Sequence, residues 1–590
     1  MSGARTPAIG ERLELAGATE RVRAVVAHPA FSYAAILAIQ LRVVWGVWQD
    51  KDLTVGDTAN YFVDVTSWAH GAHLNIVYNP LYSVIWGTIL AVVHDVYAAA
   101  TINRLAIVLL ATVLVLATMR TLFAPALAFL IALWWAVVPQ NFAVLYDVHL
   151  LGLILELVAV VVVARVPTRR GAGAALALLL ADGLLVRTEM LLTTAMFALV
   201  ILFAELRRRR SGVRAPAPVH LKAYAIPLAI ALLLFAGAYW RSHIQGQTAR
   251  EMLEAKQELN LCEAYAFNYQ QRHPQRVPGN PFLECSAIMK HDFGRPMPSL
   301  TQAISANPRA MAGFFAWNVE LLPAGSEVAL FGATSSGKNP AYPPPRMHEL
   351  YAGLLGLAAL ALILVGGALG AREARREERV RRWVGDRRWP LAVLATIVLG
   401  NLIVVIDQRP WAEYMYGVTI GLMVLVGMGA TVLLQRRRLR WLTAPAAALA
   451  AVLVLALPSY YSPAPRPLYE GVSRLQPVAA ALRRPGSVLV SGTNPTDLCF
   501  YLSRTYQGYC SGLDWSTLRA LVASGTPLPA ALSKAGATAI YADPGMVADP
   551  LLAPLLKAPR AAGWRQLAGG VGRYGPWRVL VPARPAPLRQ

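Results

Sequence analysis

The stretch TVGDTANYFVDVTSWAHGAHLNIVYNPLYSVIWG, residues 54–87, places carboxylates, histidines and aromatic residues directly after the first long apolar segment. From Ala59 onward, apolar residues recur at helical spacing, whereas Asp64 lies on another face. The recurring residues are Tyr61, Phe62, Val65, Trp68 and Ala69. This pattern predicts a short amphipathic helix that lies in a membrane interface instead of crossing the membrane.

The composition of the whole chain excludes an ordinary soluble domain. Of its 590 residues, 56% are hydrophobic and 15% are charged, and the mean hydropathy is +0.44. The net charge of +22 comes from 55 basic and 33 acidic residues. Because the arginines cluster between long apolar blocks, they indicate membrane topology, and no nucleic-acid partner is expected. The sequence therefore predicts a polytopic α-helical membrane protein.

The apolar blocks predict about 11 transmembrane helices. They lie near 31–48, 102–119, 124–142, 148–166, 172–186, 190–206, 223–240, 349–370, 390–406, 415–435 and 441–457. With a cytoplasmic N-terminus, five basic clusters fall on the cytoplasmic side, namely Arg120 and residues 165–170, 207–210, 372–388 and 435–440. This agreement requires that 81–97 be membrane-associated and not a full crossing.

The same topology predicts three parts of the chain. Residues 1–28 form a cytoplasmic segment, 29–457 form the membrane domain with external loops 49–101 and 241–348, and 458–590 form an extracytoplasmic α/β domain. Strands are expected in this last domain near 487–491, 537–542 and 575–581. Helices are expected near 495–503, 514–523, 527–535 and 549–557. This C-terminal domain has no glycine-rich phosphate loop at a strand-to-helix junction. That absence favours a scaffold or substrate-guiding role for the domain over a catalytic one.

All four cysteines fall in regions that the topology places outside, where disulfides form. Cys262 and Cys285 lie within one local segment, as do Cys499 and Cys510, so we predict the pairs Cys262–Cys285 and Cys499–Cys510. Sequence alone leaves other pairings open.

Asp57 has two interpretations. It directly precedes the predicted amphipathic helix, where it or Thr58 can cap the helix. A carboxylate held at the outer membrane surface is equally well placed to act as a general base.

The order of elements in this loop resembles the GT-C superfamily of integral-membrane glycosyltransferases, which use polyprenyl-phosphate-linked sugars. A first span is followed by Asp57, an amphipathic helix with Tyr61, a glycine turn, and Asn79-Pro80-Leu81-Tyr82. Among such families are protein mannosyltransferases, aminoarabinose transferases and an arabinofuranosyltransferase-like group. The resemblance covers about residues 30–435 and implies that Asp57 activates the acceptor. It departs at Asp57-Thr58, where an acidic pair is common, and at Asn79-Pro80, where Pro-Pro is usual.

A lipid-phosphate donor requires a cation at the outer membrane surface, because negative charge grows on the departing phosphate. Charged residues at the outer ends of spans supply two candidate groups. The first group is Asp182, Arg187 and Glu189. The Arg-x-Glu order of Arg187 and Glu189 also resembles GT-C members. The second group is Arg409, Glu413 and Tyr414. Arg187 and Arg409 are the predicted ligands of the donor phosphate, and the other four are supporting residues, as are Tyr61 and Asn79. The alternative is interface snorkelling for the arginines and local ion pairs for the carboxylates.

Other polar residues carry weaker expectations. Asp147 and His149 lie near the outer surface, and Glu156 is expected to bond to a neighbouring helix. His70, His73 and His94 with Asp64 match no ligand spacing, so no metal and no other cofactor is expected, although a divalent cation stays open.

The sequence thus predicts an inverting hexosyl- or pentosyltransferase. It moves a sugar from a polyprenyl-phosphate donor to an external glycan, lipid or protein, with Asp57 as general base. The Arg-rich, Lys-poor composition indicates a multi-pass protein of a bacterial inner membrane. The alternatives are a transporter or lipid flippase with an external domain, and an envelope-assembly or sensor protein.

Overall fold

The computed structural model describes residues 25, 27–44, 58–69, 71, 74, 79–138, 147–211, 220–242, 249–276, 281–341, 345–376, 378–434, 443–460, 474–484, 486–492, 495, 498–499, 502, 510–572 and 575–583. Its helices up to the long external loop are α1 (Pro29–Val43), α2 (Thr58–Ala69), α3 (Pro80–Val93), α4 (Val96–Leu122), α5 (Pro125–Val137), α6 (Asp147–Arg165), α7 (Arg169–Leu185), α8 (Leu191–Arg210) and α9 (Ile226–Arg241). The loop and the later membrane helices are α10 (Ala249–Arg272), α11 (Pro281–Phe293), α12 (Leu300–Ala306), α13 (Pro308–Phe331), α14 (Leu350–Arg376), α15 (Glu378–Asp386), α16 (Arg388–Gln408), α17 (Tyr416–Leu434) and α18 (Thr443–Tyr460).

Within these ranges, seven helices are long and apolar enough to cross a membrane. They lie in α4, α6, α8, Leu221–Trp240, α14, α16 and α17. Shorter apolar helices occur at α1, α3, α5 and Ala447–Leu457. Each predicted span coincides with a helix, so the multi-pass architecture is confirmed, whereas the number 11 stays a prediction. At 14 residues, α3 is shorter than the roughly 20 residues that a crossing needs.

Contacts divide the chain into two units. The first unit contains residues 1–45, 75–82 and 106–462, and the second contains residues 46–74, 83–105 and 463–590. In the first unit, glycines allow membrane helices to approach closely. A side chain built at Gly366 of α14 would overlap the backbone of Gly429 on α17, and one at Gly429 would overlap the carbonyl of Leu362. Small residues at such a crossing are a common basis of helix packing in lipid.

The long loop between α9 and α14 forms a small helical layer that contains α10, α11 and α13. Cys262 and Cys285 are joined by a disulfide that ties α10 to α11. Asn268 of α10 donates to Asn318 Oδ1 of α13 at 3.1 Å, and Asn318 donates to the Ile406 carbonyl near the end of α16 at 2.8 Å. Hydrogen bonds between buried amides specify position as well as stability. This relay fixes α10 against the C-terminal end of α16.

In the second unit, α2 packs against α3. Phe62 and Trp86 have ring centroids 5.9 Å apart, and the Trp68 indole donates to Thr88 at 3.2 Å. A Cβ at Gly87 would lie 2.6 Å from the Trp68 ring, so glycine makes this approach possible. The amphipathic helix expected from Ala59 onward is therefore present, and its apolar face contacts protein.

The C-terminal residues form a five-stranded sheet. Its strands are β1 (Val488–Ser491), β2 (Ser511–Asp514), β3 (Ala537–Ala542), β4 (Trp564–Gly572) and β5 (Gly575–Pro582), in the order β2-β1-β3-β5-β4. β1 pairs in parallel with β2 and β3, and β5 pairs antiparallel with β3 and β4. The helices are Ala479–Leu482, Trp515–Ala523, Leu528–Lys534, Pro544–Ala548 and Ala553–Lys557.

Three predicted strands of this domain correspond to β1, β3 and β5, whereas β2 and β4 were missed. β2 is the four-residue edge strand SGLD, without a β-branched residue. β4 contains three glycines in WRQLAGGVG, which weakens any strand pattern. Most of the helix expected at 495–503 lies outside the described residues. The second disulfide, Cys499–Cys510, is present in this domain.

Candidate active site

The turn between α16 and α17 places a buried arginine between two aromatic rings. Arg409 is 1% exposed, and its guanidinium carbon lies 3.4 Å from the Phe267 ring centroid and 3.8 Å from that of Trp411. Its φ of 147° is rare for a residue with a side chain. Such strained backbone persists where packing enforces it and is concentrated at functional sites. The turn therefore holds its cation in one defined place.

A second arginine approaches the same turn from the end of α7. The backbone N–H groups of Val186 and Arg187 donate to the Asp182 carbonyl at 2.9 and 2.8 Å, which ends the helix and sets the position of Arg187. The Arg187 guanidinium carbon lies 5.0 Å from the Tyr414 ring centroid, and its Nη2 pairs with Glu189. Arg187 and Arg409 thus both contact aromatic rings of residues 411–414.

Aromatic side chains connect these two cations. Trp411 and Tyr414 stack with centroids 6.2 Å apart, and the His149 ring of α6 meets Tyr414 edge-on at 5.2 Å. Burial, the largest cause, raises the pKa of Tyr414, so its hydroxyl stays protonated near neutral pH. Both rings of the stack are half-buried, and a charge interaction beside such partly buried rings is stronger than in water.

Glu413 is the carboxylate of this turn. It is 6% exposed, and burial raises its pKa to about 7, while its own backbone N–H, Arg409 and Arg187 act in the opposite direction. A buried carboxyl group with a raised pKa is a candidate for a proton-linked role.

Buried acids lie in the helices next to this turn. Asp182 is 0% exposed, and neither of its carboxylate oxygens has a hydrogen-bond partner among the described residues. A Cβ at Gly152 would lie 3.1 Å from Asp182 Oδ1, so glycine leaves room for this carboxylate. Glu156 accepts from the Asn401 amide at 3.3 Å, which is the interhelical bond expected of it.

The predicted site residues fall into three groups. Six of them lie in the first unit, around the turn between α16 and α17 and the end of α7, namely Asp182, Arg187, Glu189, Arg409, Glu413 and Tyr414. Tyr61 is 6% exposed on α2, and Asn79, with φ 58°, directly precedes α3. Asp57, His70 and His73 lie outside the described residues, and the side chain of Asp147 is likewise not described.

Two residues of the candidate site were missed by sequence reasoning. Trp411 lies between the predicted site residues Arg409 and Glu413 but carries no charge, and Phe267 lies in a loop helix that is distant in sequence. Across the described residues, no group of three His, Cys, Asp or Glu side chains is placed to hold a metal.

Comparison with known proteins gives similarities among solved structures. No family model matches the chain, and no curated protein matches it. The oligosaccharyltransferase AglB from Archaeoglobus fulgidus, solved with an inhibitory peptide and a dolichol-phosphate, is 10% identical over 87% of this chain and 69% of that chain, with a TM-score of 0.40. ArnT from Cupriavidus metallidurans, solved with undecaprenyl phosphate, is 13% identical over 93% and 97%, with a TM-score of 0.35.

Proposed function

We propose that this protein transfers a sugar from a polyprenyl-phosphate donor to a hydroxyl-bearing acceptor outside a bacterial inner membrane. The observation that carries the proposal is the convergence of Arg187 and Arg409 on the Trp411–Tyr414 stack. Two guanidinium groups, held on aromatic rings at the ends of membrane helices, suit a phosphate that stays attached to a lipid chain.

The reaction explains why two cations are useful there. The acceptor oxygen attacks the anomeric carbon, and the bond from that carbon to the phosphate oxygen breaks. Its electron pair stays on the phosphate, so a singly charged diester becomes a monoester with a second negative charge. Arg187 and Arg409 stabilise this growing charge, which is the differential effect that accelerates a reaction.

The acceptor proton also needs a destination. Asp57 is the proposed general base, on the strength of its place after the first span and of the sequence resemblance. Attack from the face opposite the phosphate inverts the anomeric configuration, as in other displacements that develop positive charge on a sugar ring. The acceptor is a glycan, lipid or protein hydroxyl, and the sugar is a hexose or pentose.

Lipid-phosphate binding by purified protein tests the role of the arginines. Wild type, Arg187→Gln, Arg409→Gln and the double variant are titrated with undecaprenyl phosphate in detergent. Each single variant is expected to bind about 10- to 100-fold more weakly, because charged hydrogen bonds contribute about 1.5–3 kcal/mol. Arg309→Gln, an exposed arginine of α13, is the matched control.

The result also separates the transferase from the alternative. Equal binding by wild type and the double variant would remove the phosphate site proposed here. Movement of lipid phosphate between leaflets of proteoliposomes, without sugar transfer to any acceptor, would instead favour a flippase.

A further inference from the structure

Basic side chains converge at one end of four consecutive membrane helices. α6 and α8 end there, and α7 and α9 begin there. A Cβ at Gly173 of α7 would overlap the carbonyl of Ala223, just before α9, so these two segments approach at backbone distance. We call this region the basic end. Its basic residues, among those that the structure describes, are Arg165, Arg169, Arg170, Arg207, Arg208, Arg209, Arg210 and Lys222.

Glu205 of α8 organises the basic end. It accepts from Arg169 Nε at 2.9 Å and Nη2 at 3.0 Å, from Arg208 Nη1 at 2.7 Å and from the Tyr224 hydroxyl at 3.1 Å. A bidentate arginine–carboxylate pair fixes geometry as well as charge. Glu205 is the only carboxylate in the sequence of residues 190–242, and residues 157–181 contain none. One carboxylate against eight basic residues leaves these helix ends with a surplus of seven positive charges.

An apolar stripe of α8 leads directly to this surplus charge. Leu199, Phe203 and Leu206 follow one another at spacings of four and three residues, so they share one face of the helix with Arg210. All four side chains are exposed, and Phe203 is 64% exposed. α8 lies in a segment that is long and apolar enough to cross a membrane. The stripe therefore fits acyl chains, and Arg210 at its end fits the layer of lipid phosphates.

We propose that the basic end is a binding site for an anionic phospholipid. The phosphate pairs with Arg210 and Arg207, and one acyl chain lies along Phe203 and Leu206. A ligand with both parts is favoured because the same helix face presents both kinds of surface. The site lies at the N-terminal end of α7, whereas Arg187 follows its C-terminal end, about 25 Å away at 1.5 Å per residue. The inference therefore stands independently of the proposed sugar transfer.

The charge surplus predicts which lipids bind. A zwitterionic headgroup brings a cation close to the arginines, whereas an anionic headgroup adds only negative charge, so the anionic lipid is preferred. Each basic side chain near an anionic lipid surface contributes to this attraction, and removal of two is expected to weaken binding about 5- to 30-fold. Because exposed charges are screened by salt, the preference is expected to decrease as ionic strength rises.

The test uses the purified full-length protein in detergent, with dioleoyl phosphatidylglycerol and dioleoyl phosphatidylcholine as probes that share the same acyl chains. Native mass spectrometry measures the bound lipid, and thermal unfolding measures the stabilisation that binding produces. Wild type is expected to bind phosphatidylglycerol at least about tenfold more tightly than phosphatidylcholine. The double variant Arg207→Gln with Arg210→Gln is expected to lose most of this preference and to bind phosphatidylcholine like wild type. Inorganic phosphate at the same concentration is expected not to displace the lipid.

The matched control removes two arginines from another basic segment. Arg372→Gln with Arg375→Gln changes exposed residues at the end of α14, where four acidic residues are interspersed among residues 372–388. This variant is expected to keep the wild-type preference, and an equal loss in both double variants would replace the site by diffuse attraction.

Three further results would overturn the inference. Equal binding of the two lipids by wild type would remove the anionic preference, and this measurement requires no variant. A preference that survives in Arg207→Gln with Arg210→Gln would place the lipid elsewhere on the protein. Displacement of the lipid by inorganic phosphate at the same concentration would indicate a site for free phosphate.

Discussion

The guanidinium carbon of Arg409 lies 3.4 Å from the centroid of the Phe267 ring. Arg409 belongs to the turn between two membrane helices, whereas Phe267 belongs to α10 of the long loop between α9 and α14, so this loop covers the cation directly. The Asn268–Asn318–Ile406 relay holds α10 at this place. This loop is thus part of the candidate site.

Replacing Phe267 tests this relationship. Phe267→Ala removes one face of the aromatic pair around Arg409, and cation–π contacts contribute about 0.5–2 kcal/mol. The affinity for undecaprenyl phosphate is expected to fall about 2- to 30-fold, as measured by titration of the purified protein. Phe267→Tyr keeps an aromatic face and is expected to bind like wild type; equal loss in both variants would contradict a role for the ring.

Asp64 gives a prediction about pH and stability. It is 9% exposed on α2, its Oδ2 has no hydrogen-bond partner among the described residues, and burial raises its pKa to about 8 from an ordinary value of 3.8. Between these two values the folded state binds more protons than the unfolded state, so stability falls as pH rises through this window. The free energy of unfolding is expected to fall by at most about 1.4 kcal/mol per pH unit.

Asp64→Asn removes this titration. The variant is expected to unfold at a higher temperature than wild type at pH 8, with a smaller difference at pH 5, as measured by thermal unfolding in detergent. Glu284→Gln is the control with no expected change at either pH. A difference between Asp64→Asn and wild type that is the same at both pH values would show that Asp64 does not titrate in this range.

Two adjacent glycines of α14 give a matched packing test. A Cβ at Gly366 would overlap the Gly429 backbone, whereas nothing lies within 4 Å of one at Gly367. Gly366→Ala is therefore expected to destabilise the protein by about 1–3 kcal/mol, and Gly367→Ala to leave it unchanged or slightly more stable. Thermal unfolding of the two variants side by side measures the difference, and equal behaviour would contradict the close crossing of α14 and α17.

The sequence was most informative where a single physical requirement acts locally. Apolar runs of about 20 residues predicted the helices, since a backbone in lipid must satisfy its own hydrogen bonds. Charge at the end of a span was enough to single out Arg409, Glu413 and Arg187, because charge is rare there without a role.

Features that depend on distant contacts were not predictable. Phe267 belongs to the site only because the Asn268–Asn318–Ile406 relay brings a loop helix onto α16, and no local pattern encodes that approach. The burial of Asp64 was missed for the same reason, since helical spacing placed it away from the apolar face. The stack of Trp411 and Tyr414 was likewise hidden in a turn whose backbone the sequence does not specify.

Sugar transfer in membranes tests the central claim most directly. Membranes that contain wild type, Asp57→Asn or the control Glu284→Gln are supplied with a panel of radiolabelled polyprenyl-phosphate sugars, and incorporation into membrane acceptors is measured. We expect wild type and Glu284→Gln to incorporate label from one donor, and Asp57→Asn to lose at least about 100-fold, the lower range for a general base. Wild-type incorporation that persists in Asp57→Asn would contradict the assignment of the base, and no incorporation from any donor would contradict the transferase.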